Sequence, residues 1–256
     1  MSKKVTIIDL SVPIENFATE SWPPEITYWN HREGAKSLGH PLGLKADDFP
    51  EGMGLAWEKL TLITHAGTHL DAPWHFGPKV GGEPAKTIDQ IPLAWCYSDG
   101  VVLDLRHKKA NESITVDDIK AALAKINYAI KPYDIVLIMT GADKYLEHPD
   151  YVNMNPGMSR EATLWLIDQG VKIVGVDGYG YDKSFAQMGK EYKAGDKGAL
   201  WPGHFAGREK EYCHIEKLMN LDKIPKPYGF KVAVFPIKIA KASAGWARPV
   251  AILVEE

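Results

Sequence analysis

The chain is poor in cysteine, with only Cys96 and Cys213, and these two do not form a CxxC pair. This count argues against a framework of several disulfides and is typical of proteins in a reducing compartment. Apolar runs of about 18 residues, which a bilayer-spanning helix needs, are also missing. Asp9 interrupts the first apolar stretch too early for the core of a signal peptide. We therefore expect a cytoplasmic location.

A strong excess of one charge is missing as well, since the formal net charge is −3 at pH 7 and the basic residues are scattered. This pattern argues against a nucleic acid or an anionic membrane as the partner, and it favours a small-molecule substrate. The 256 residues, of which 45% are hydrophobic and 25% charged, have the composition of an ordinary globular protein. The length requires no more than one domain, and we expect a single domain over residues 1–256.

Short β-branched runs alternate with helix signals along the chain. Strands are predicted at residues 5–10, 101–105, 134–140, 172–177, 231–239 and 249–254. Most of these runs are uniformly apolar, which indicates strands covered on both faces. Thr115 and Ser159 are predicted to cap helices at 116–126 and 160–169, and Gly170 supplies a left-handed stop after the second helix. The pattern predicts an α/β protein with a mixed sheet or a small barrel-like core.

Two further segments have a composition typical of loops. Residues 20–56 are rich in proline, glycine and tryptophan, and residues 178–203 are rich in glycine and lysine. We expect them to be long ordered loops, which in compact domains are often functional. These segments could line a substrate pocket with Trp22, Trp29, Trp57 and Trp201. Alternatively, the four tryptophans pack against the rest of the protein and have no role in binding.

The most informative segment is residues 65–75, which read His-Ala-Gly-Thr-His-Leu-Asp-Ala-Pro-Trp-His and hold three of the nine histidines. Neutral imidazole and carboxylate are the usual ligands of zinc and manganese. Two histidines and one aspartate, here His65, His69 and Asp71, leave coordination positions open for water, as in catalytic metal sites. The segment therefore predicts a metal-dependent enzyme.

The spacing within this segment requires a bend. A fully extended strand would separate His65 from His69 by roughly 13 Å, which is too far for one ion. We therefore expect the chain to bend near Gly67, and Pro73 to hold His75 nearby. His75 could be a fourth ligand or a free base beside metal-bound water, and its ordinary pKa of about 6.5 favours the base.

Residues 65–76 closely resemble the HxGTHxDAPxHF signature of the cyclase family, metal-dependent hydrolases that include bacterial kynurenine formamidase and isatin hydrolase. In the formamidases a second segment carries a histidine and, twelve residues later, a glutamate. This chain has His204 and Glu216 at that spacing. The resemblance implies a fold of the swivelling β/β/α type and a homodimer or homotetramer.

The resemblance also implies two zinc ions, with Asp71 or Glu216 able to bridge them and His75 as the proton-transferring histidine. The implied ligands are His65, His69, Asp71, His204 and Glu216. Isatin hydrolases lack the glutamate and hold one manganese, so Glu216 favours two zinc ions here, with manganese as the alternative. His214 is a rival ligand that ranks below Glu216, because the family spacing selects Glu216.

We expect hydrolysis of a small amide bond, most of all an aryl formamide, with Trp74, Phe76 and Trp201 as candidate substrate contacts. A lactam, ester or lactone hydrolase, a metal-dependent lyase or cyclase, and a catalytically silent metal-binding protein remain alternatives. After Asp177 the chain reads Gly-Tyr-Gly-Tyr-Asp182, where the formamidases carry a Thr-Pro-Ser type of segment. This departure leaves the substrate open. Asp177 and Asp182 could line the pocket or turn a loop, and we favour the structural role.

Overall fold

The computed structural model describes residues 4–15 and 19–254, and these contain fifteen strands and six α-helices. The strands are β1 (Val5–Asp9), β2 (Glu25–Trp29), β3 (Trp57–Thr61), β4 (His69–Asp71), β5 (Lys79–Val80), β6 (Glu83–Pro84), β7 (Tyr97–Asp104), β8 (Ser113–Ile114), β9 (Ile135–Met139), β10 (Gly157–Met158), β11 (Ile173–Val176), β12 (Cys213–Glu216), β13 (Tyr228–Ala233), β14 (Ala244–Trp246) and β15 (Val250–Val254). The helices are α1 (His31–Gly39), α2 (Pro73–Phe76), α3 (Val116–Lys125), α4 (Arg160–Asp168), α5 (Phe185–Lys193) and α6 (Pro202–Ala206).

One mixed sheet dominates the fold. In the described part of the chain it has nine strands in the order β1-β15-β13-β7-β9-β11-β12-β4-β14. The strands β7, β9, β11 and β12 are mutually parallel, and the strands on either side of them are antiparallel. The sheet curls into a half-barrel with flanking helices, which confirms the predicted α/β fold with a mixed, barrel-like core.

The central strands are covered on both faces, as their unbroken apolar sequences predict. All five residues of β9 are buried. Ile135 and Leu137 belong to one hydrophobic cluster, whereas Val136 and Ile138 belong to a second cluster that includes residues of α3 and α4. Because successive side chains of a strand point to opposite faces, the two clusters form two separate layers of core, one on each side of the sheet.

The two predicted helix starts are confirmed. The Thr115 hydroxyl accepts a hydrogen bond from the backbone N–H of Asp118, and the Ser159 hydroxyl accepts one from the N–H of Ala162. Gly170 follows α4 with φ of +90°, the left-handed conformation expected for a helix stop. The predicted strand at 231–239 is too long, because β13 ends at Ala233. Pro236, which has no N–H to donate to a ladder, interrupts the remaining apolar run.

The prediction of two long ordered loops is wrong in that both segments contain regular secondary structure: residues 20–56 contain β2 and α1, and residues 178–203 contain α5. Local capping explains both helices. Asn30 and Glu33 form a reciprocal capping box at the start of α1. The Ser184 hydroxyl accepts a hydrogen bond from the N–H of Gln187 at the start of α5. These caps begin helices inside segments whose composition favours loops.

The chain divides into two compact units, residues 15–63 and the remainder. In the smaller unit β2 and β3 form an antiparallel pair, and the rings of Trp29 and Trp57 stack with centroids 4.0 Å apart. The larger unit holds the nine-stranded sheet. A single functional domain over residues 1–256 stays a prediction. None of the helices in the described residues is long and apolar enough to cross a lipid bilayer.

Two glycine substitutions should change stability in opposite directions. A Cβ on Gly157 would lie 2.1 Å from the backbone nitrogen of Lys183, whereas a Cβ on Gly189 in α5 meets nothing within 4 Å. Gly157→Ala should therefore lower the free energy of unfolding by about 1–3 kcal/mol. Gly189→Ala should raise it by up to about 1 kcal/mol, because alanine favours helix. Urea denaturation of both variants measures the difference, and equal midpoints would contradict the packing described at Gly157.

Candidate metal centre

The register of the antiparallel strands β12 and β4 places four candidate metal-binding side chains next to one another. His214 lies opposite Asp71, and Glu216 lies opposite His69, across the pair of β12 and β4. Residues directly opposite each other in such a pair project from the same face of the sheet. Leu70, which alternates with them, belongs to the hydrophobic core on the other face. Strand pairing alone therefore places two histidines and two carboxylates side by side.

The predicted bend brings His65 to this group. Gly67 has φ of +59°, and the Nδ1 atom of His65 lies 3.3 Å from Nε2 of His69 and 2.9 Å from Oδ1 of Asp71. The other ring nitrogen of His65 lies 3.1 Å from the Ser243 hydroxyl. The Nδ1 atom of His69 donates to the carbonyl oxygen of Gly67 at 2.9 Å, which directs its Nε2 towards Asp71 at 3.2 Å. Both rings are thus oriented by partners outside the cluster.

His75 lies at the edge of the cluster because α2 begins at Pro73 and turns the chain by one helical turn. Its Nε2 atom is 3.6 Å from Oδ2 of Asp71, and its side chain is 33% exposed. Its ring centroid is 4.1 Å from that of His65 and 5.3 Å from that of His204. Burial lowers the pKa of His75 to about 4, so that this imidazole is neutral at pH 7. The geometry is compatible with either predicted role, ligand or base.

His204 enters from α6 and is fixed by Asp182. The Nδ1 atom of His204 lies 2.5 Å from Oδ2 of Asp182. The backbone N–H of Gly203 donates to Oδ1 of the same carboxylate, and that of His204 donates to Oδ2. The Nε2 atom of His204 consequently faces Oδ2 of Asp71 at 3.8 Å and Oε1 of Glu216 at 3.7 Å. A carboxylate that orients a histidine in this way is a common partner of metal-binding histidines. Asp182 thus has a positioning role that its sequence context does not reveal.

The segment from Asp177 to Asp182 links the parallel strands to the cluster. Asp177 accepts hydrogen bonds from the N–H and hydroxyl of Thr140 and from the N–H of Gly141, at the end of β9. Burial raises the pKa of Asp177 to about 7, although these donors oppose the rise. Four residues later, the Tyr181 N–H donates to Oε1 of Glu216 at 2.8 Å. The structural role predicted for Asp177 agrees with these contacts.

His214, which the sequence analysis ranked below Glu216, also lies in the cluster. It is fully buried, and its ring stacks on Tyr181 with centroids 4.2 Å apart and planes at 2°. Its Nε2 atom lies 3.0 Å from Oδ2 of Asp71. Burial alone would lower its pKa, but Asp71 and Glu216 beside it raise the pKa of His214 to about 9. The spacing of two between His214 and Glu216 on a strand was the signal that places both on one face.

The donor set fits a divalent metal ion. Among the described residues, both carboxylate oxygens of Asp71 and Nε2 of His214 are buried without a hydrogen-bond partner. Such atoms are costly to bury unless a cation satisfies them. Neighbouring donors around a tetrahedral zinc ion with bonds of about 2.1 Å are separated by about 3.4 Å. The donors of His65, His69 and Asp71 are separated by 2.9, 3.2 and 3.3 Å.

The carboxylates are held in the ionised form that a metal ligand requires. Burial would raise the pKa of Asp71, but His75, His65 and His69 outweigh it and hold the pKa well below the usual range. Burial would likewise raise the pKa of Glu216, but the neighbouring histidines, His214 first, lower it to about 2. The five predicted ligands and His75 are therefore brought together, and their assignment as ligands and base stays a prediction.

The three predicted substrate contacts differ in exposure. Trp74 is 44% exposed, and Trp201 is half-buried beside Phe185 and Phe205. Phe76 is 1% exposed, and its ring packs against the rings of Tyr212 and His214. Contact of these three residues with a substrate stays a prediction.

Solved structures with the same fold include two isatin hydrolases. One, bound to the product analogue thioisatinate, superposes with a TM-score of 0.77 and 22% identity, covering 98% of this chain and 93% of that chain. Isatin hydrolase A from Ralstonia solanacearum gives a TM-score of 0.75 and 21% identity, covering 97% and 92%. At this identity the likeness shows the fold.

Sequence comparison identifies the family. A kynurenine formamidase from Bacillus cereus is 25% identical over 177 residues, which cover 66% of this chain and 67% of the relative. The sequence model of the Cyclase family, described as "Putative cyclase", matches residues 8–183. This match includes the whole first cluster, from His65 to His75, and extends over more than half of the chain. The protein therefore belongs to the Cyclase family.

Proposed function

We propose that the protein is a metal-dependent hydrolase that cleaves a small amide bond, with an aryl formamide as its preferred substrate class. The observation that carries the proposal is the Asp71 carboxylate, which is buried without a hydrogen-bond partner in the described residues and lies beside the partly exposed His75. The similarity to kynurenine formamidases supports the formamide substrate. The buried cluster and the family together support a hydrolase that needs a metal ion.

The residues of the proposed centre divide into holding and proton-transferring groups. His65, His69 and Asp71 hold an ion on the exposed side, and His204 and Glu216 contribute to a second position. A bound divalent ion supplies activated water and an electrophile for the substrate carbonyl oxygen. We propose zinc at both positions, with manganese as the alternative. Cytoplasmic location and a homodimer or homotetramer remain part of the same proposal.

His75 is proposed as the proton carrier. A neutral imidazole with its Nε2 3.6 Å from Asp71 can accept a proton from water next to the cluster and return it to the leaving nitrogen. Its greater exposure, 33% against 22% for His65 and 0% for His69, places it where a substrate can reach. A residue in that place serves catalysis better as a base than as one more ligand.

Removal of a ligand should abolish both metal binding and activity. His69→Ala deletes a donor whose Nε2 lies 3.2 Å from Asp71. We expect turnover to fall by more than about a hundredfold, together with loss of bound metal measured by inductively coupled plasma mass spectrometry. His107→Gln, at a histidine whose side chain is 65% exposed, is the matched control and should change neither. Metal-free protein that remains active would disprove the metal requirement.

Substitution of His75 should separate the two roles left open for it. If His75 is the base, His75→Ala keeps its metal content and loses about 10² to 10⁴-fold in kcat, the usual contribution of general acid–base catalysis. Metal analysis and steady-state kinetics of the same preparation measure both quantities. Loss of metal from this variant would show that His75 is a ligand.

A substrate panel tests the formamide proposal directly. The zinc- or manganese-loaded enzyme is assayed against aryl formamides, aryl lactams such as isatin, esters and lactones. We expect the highest kcat/KM for the aryl formamides, with oxygen from labelled water in the product. A higher kcat/KM for the lactam would show that the protein resembles isatin hydrolases in its substrate. Product without labelled oxygen would identify a lyase or cyclase.

A further inference from the structure

The hydrogen bonds of Tyr212 determine which nitrogen of His214 carries a proton. The Tyr212 hydroxyl donates to the carbonyl oxygen of Gly203 at 2.8 Å. The same hydroxyl oxygen lies 3.1 Å from Nδ1 of His214. A hydroxyl has a single proton to donate, so Nδ1 of His214 is the donor in the second contact. In the neutral imidazole, Nε2 then carries only its lone pair.

This lone pair faces two carboxylates. The Nε2 atom of His214 lies 3.0 Å from Oδ2 of Asp71 and 3.4 Å from Oε1 of Glu216. In the described residues neither Nε2 of His214 nor the oxygens of Asp71 have a hydrogen-bond partner. Two buried carboxylates beside this nitrogen require a positive charge, which is either a proton on Nε2 or a metal ion in the space between them.

Four donors surround this space, and the separations between their nitrogens and carboxylate oxygens lie near the roughly 3.4 Å expected around a tetrahedral ion with bonds of about 2.1 Å. Besides the two contacts of His214, Nε2 of His204 lies 3.8 Å from Oδ2 of Asp71 and 3.7 Å from Oε1 of Glu216. All four residues are buried, and their donor atoms lie within 4.8 Å of one another. The set contains two imidazoles and two carboxylates, which are ligand types that zinc and manganese bind.

We propose that His214 is a metal ligand that, with Asp71, His204 and Glu216, encloses one ion in protein donors alone. The inference rests on the proposed metal dependence and adds a division of roles to it. An ion with four protein ligands has the closed coordination of a structural site, whereas catalytic ions keep a position open. The position beside His65 and His69 is the open one.

Side-chain exposure supports this division. The closed position is lined by His214 at 0%, His204 at 10% and Glu216 at 11%. At the open position His69 is 0% exposed, but His65 is 22% exposed and His75, beside it, is 33% exposed. Water and substrate would therefore reach the open position more readily. An ion in the closed position would hold Asp71 and Glu216 in place for an ion in the open position.

The ring of His214 is also built to stay in one orientation. It is stacked between Tyr181 at 4.2 Å and Phe76 at 5.0 Å, measured between ring centroids. The hydroxyl of Tyr212 fixes the remaining rotation through Nδ1. Tyr212 is therefore a positioning residue, because it acts on the ion only through His214 and through Gly203, which precedes His204.

Zinc titration tests the proposal. Metal is removed from the purified protein by chelation, and zinc binding is then followed by competition with a chromophoric chelator. We expect two equivalents in the natural protein, one bound much more tightly than the other. His214→Phe keeps an aromatic ring between Phe76 and Tyr181, and it should weaken the tighter site by more than about a hundredfold. His107→Gln, at an exposed histidine, should leave both sites unchanged.

Two results would overturn the inference. One is a His214→Phe protein that still binds two equivalents with unchanged affinities. The other is a natural protein that binds a single equivalent in excess zinc, which would leave His214 as a protonated partner of the carboxylates. Two bound equivalents with no hydrolysis of any panel substrate would instead refute the proposed function and leave the ligand assignment standing. No zinc binding at all would refute both.

A second variant covers the case in which His214→Phe does not fold. Tyr212→Phe removes the hydroxyl and keeps the buried ring, and it should weaken only the tighter site, by about ten- to a hundredfold. In ¹⁵N-detected NMR of the natural protein, zinc should shift Nε2 of His214 and leave Nδ1 protonated. An Nε2 resonance that zinc does not change would contradict direct ligation.

Discussion

A buried carboxylate without a hydrogen-bond donor, that of Asp71, is the constraint on which the rest of the site depends. Isolated charges in a protein interior cost several kcal/mol, so their presence requires compensating charge. Five imidazoles have a nitrogen within 4 Å of this carboxylate, those of His65, His69, His75, His204 and His214. These histidines lie on a bend, two strands and two short helices. A divalent ion bound by their nitrogens and by Asp71 would supply the compensating positive charge.

The parallel edge of the sheet keeps these groups in place. The carboxyl ends of β9, β11 and β12 lie next to one another, the part of an open α/β sheet where ligands usually bind. The segment after β11 contacts β9, β12 and α6: Asp177 binds the end of β9, Tyr181 binds Glu216 on β12, and Asp182 binds His204 on α6. His204 and Glu216 are therefore held in place by partners in this one segment.

How far the sequence predicts the site depends on the distance along the chain. The first cluster is local, so residue types, spacing and Gly67 sufficed to predict its bend. His204 and Glu216 were reached only through the family resemblance, and the contact between Asp182 and His204 depends on α6, which the sequence did not predict. His214 was ranked below Glu216 as a competitor, although residues two apart on a strand share one face and can bind together. The helices at 31–39 and 185–193 were missed because local caps outweighed a loop-like composition.

The two oxygens of Asp71 connect the two halves of the centre. Oδ1 lies next to His65 and His69, and Oδ2 lies next to His75, His204 and His214. A carboxylate that is shared in this way cannot rotate for one half without losing its contacts in the other. The positions of His65 and His69 are therefore coupled through Asp71 to those of His204 and His214, which lie next to its other oxygen.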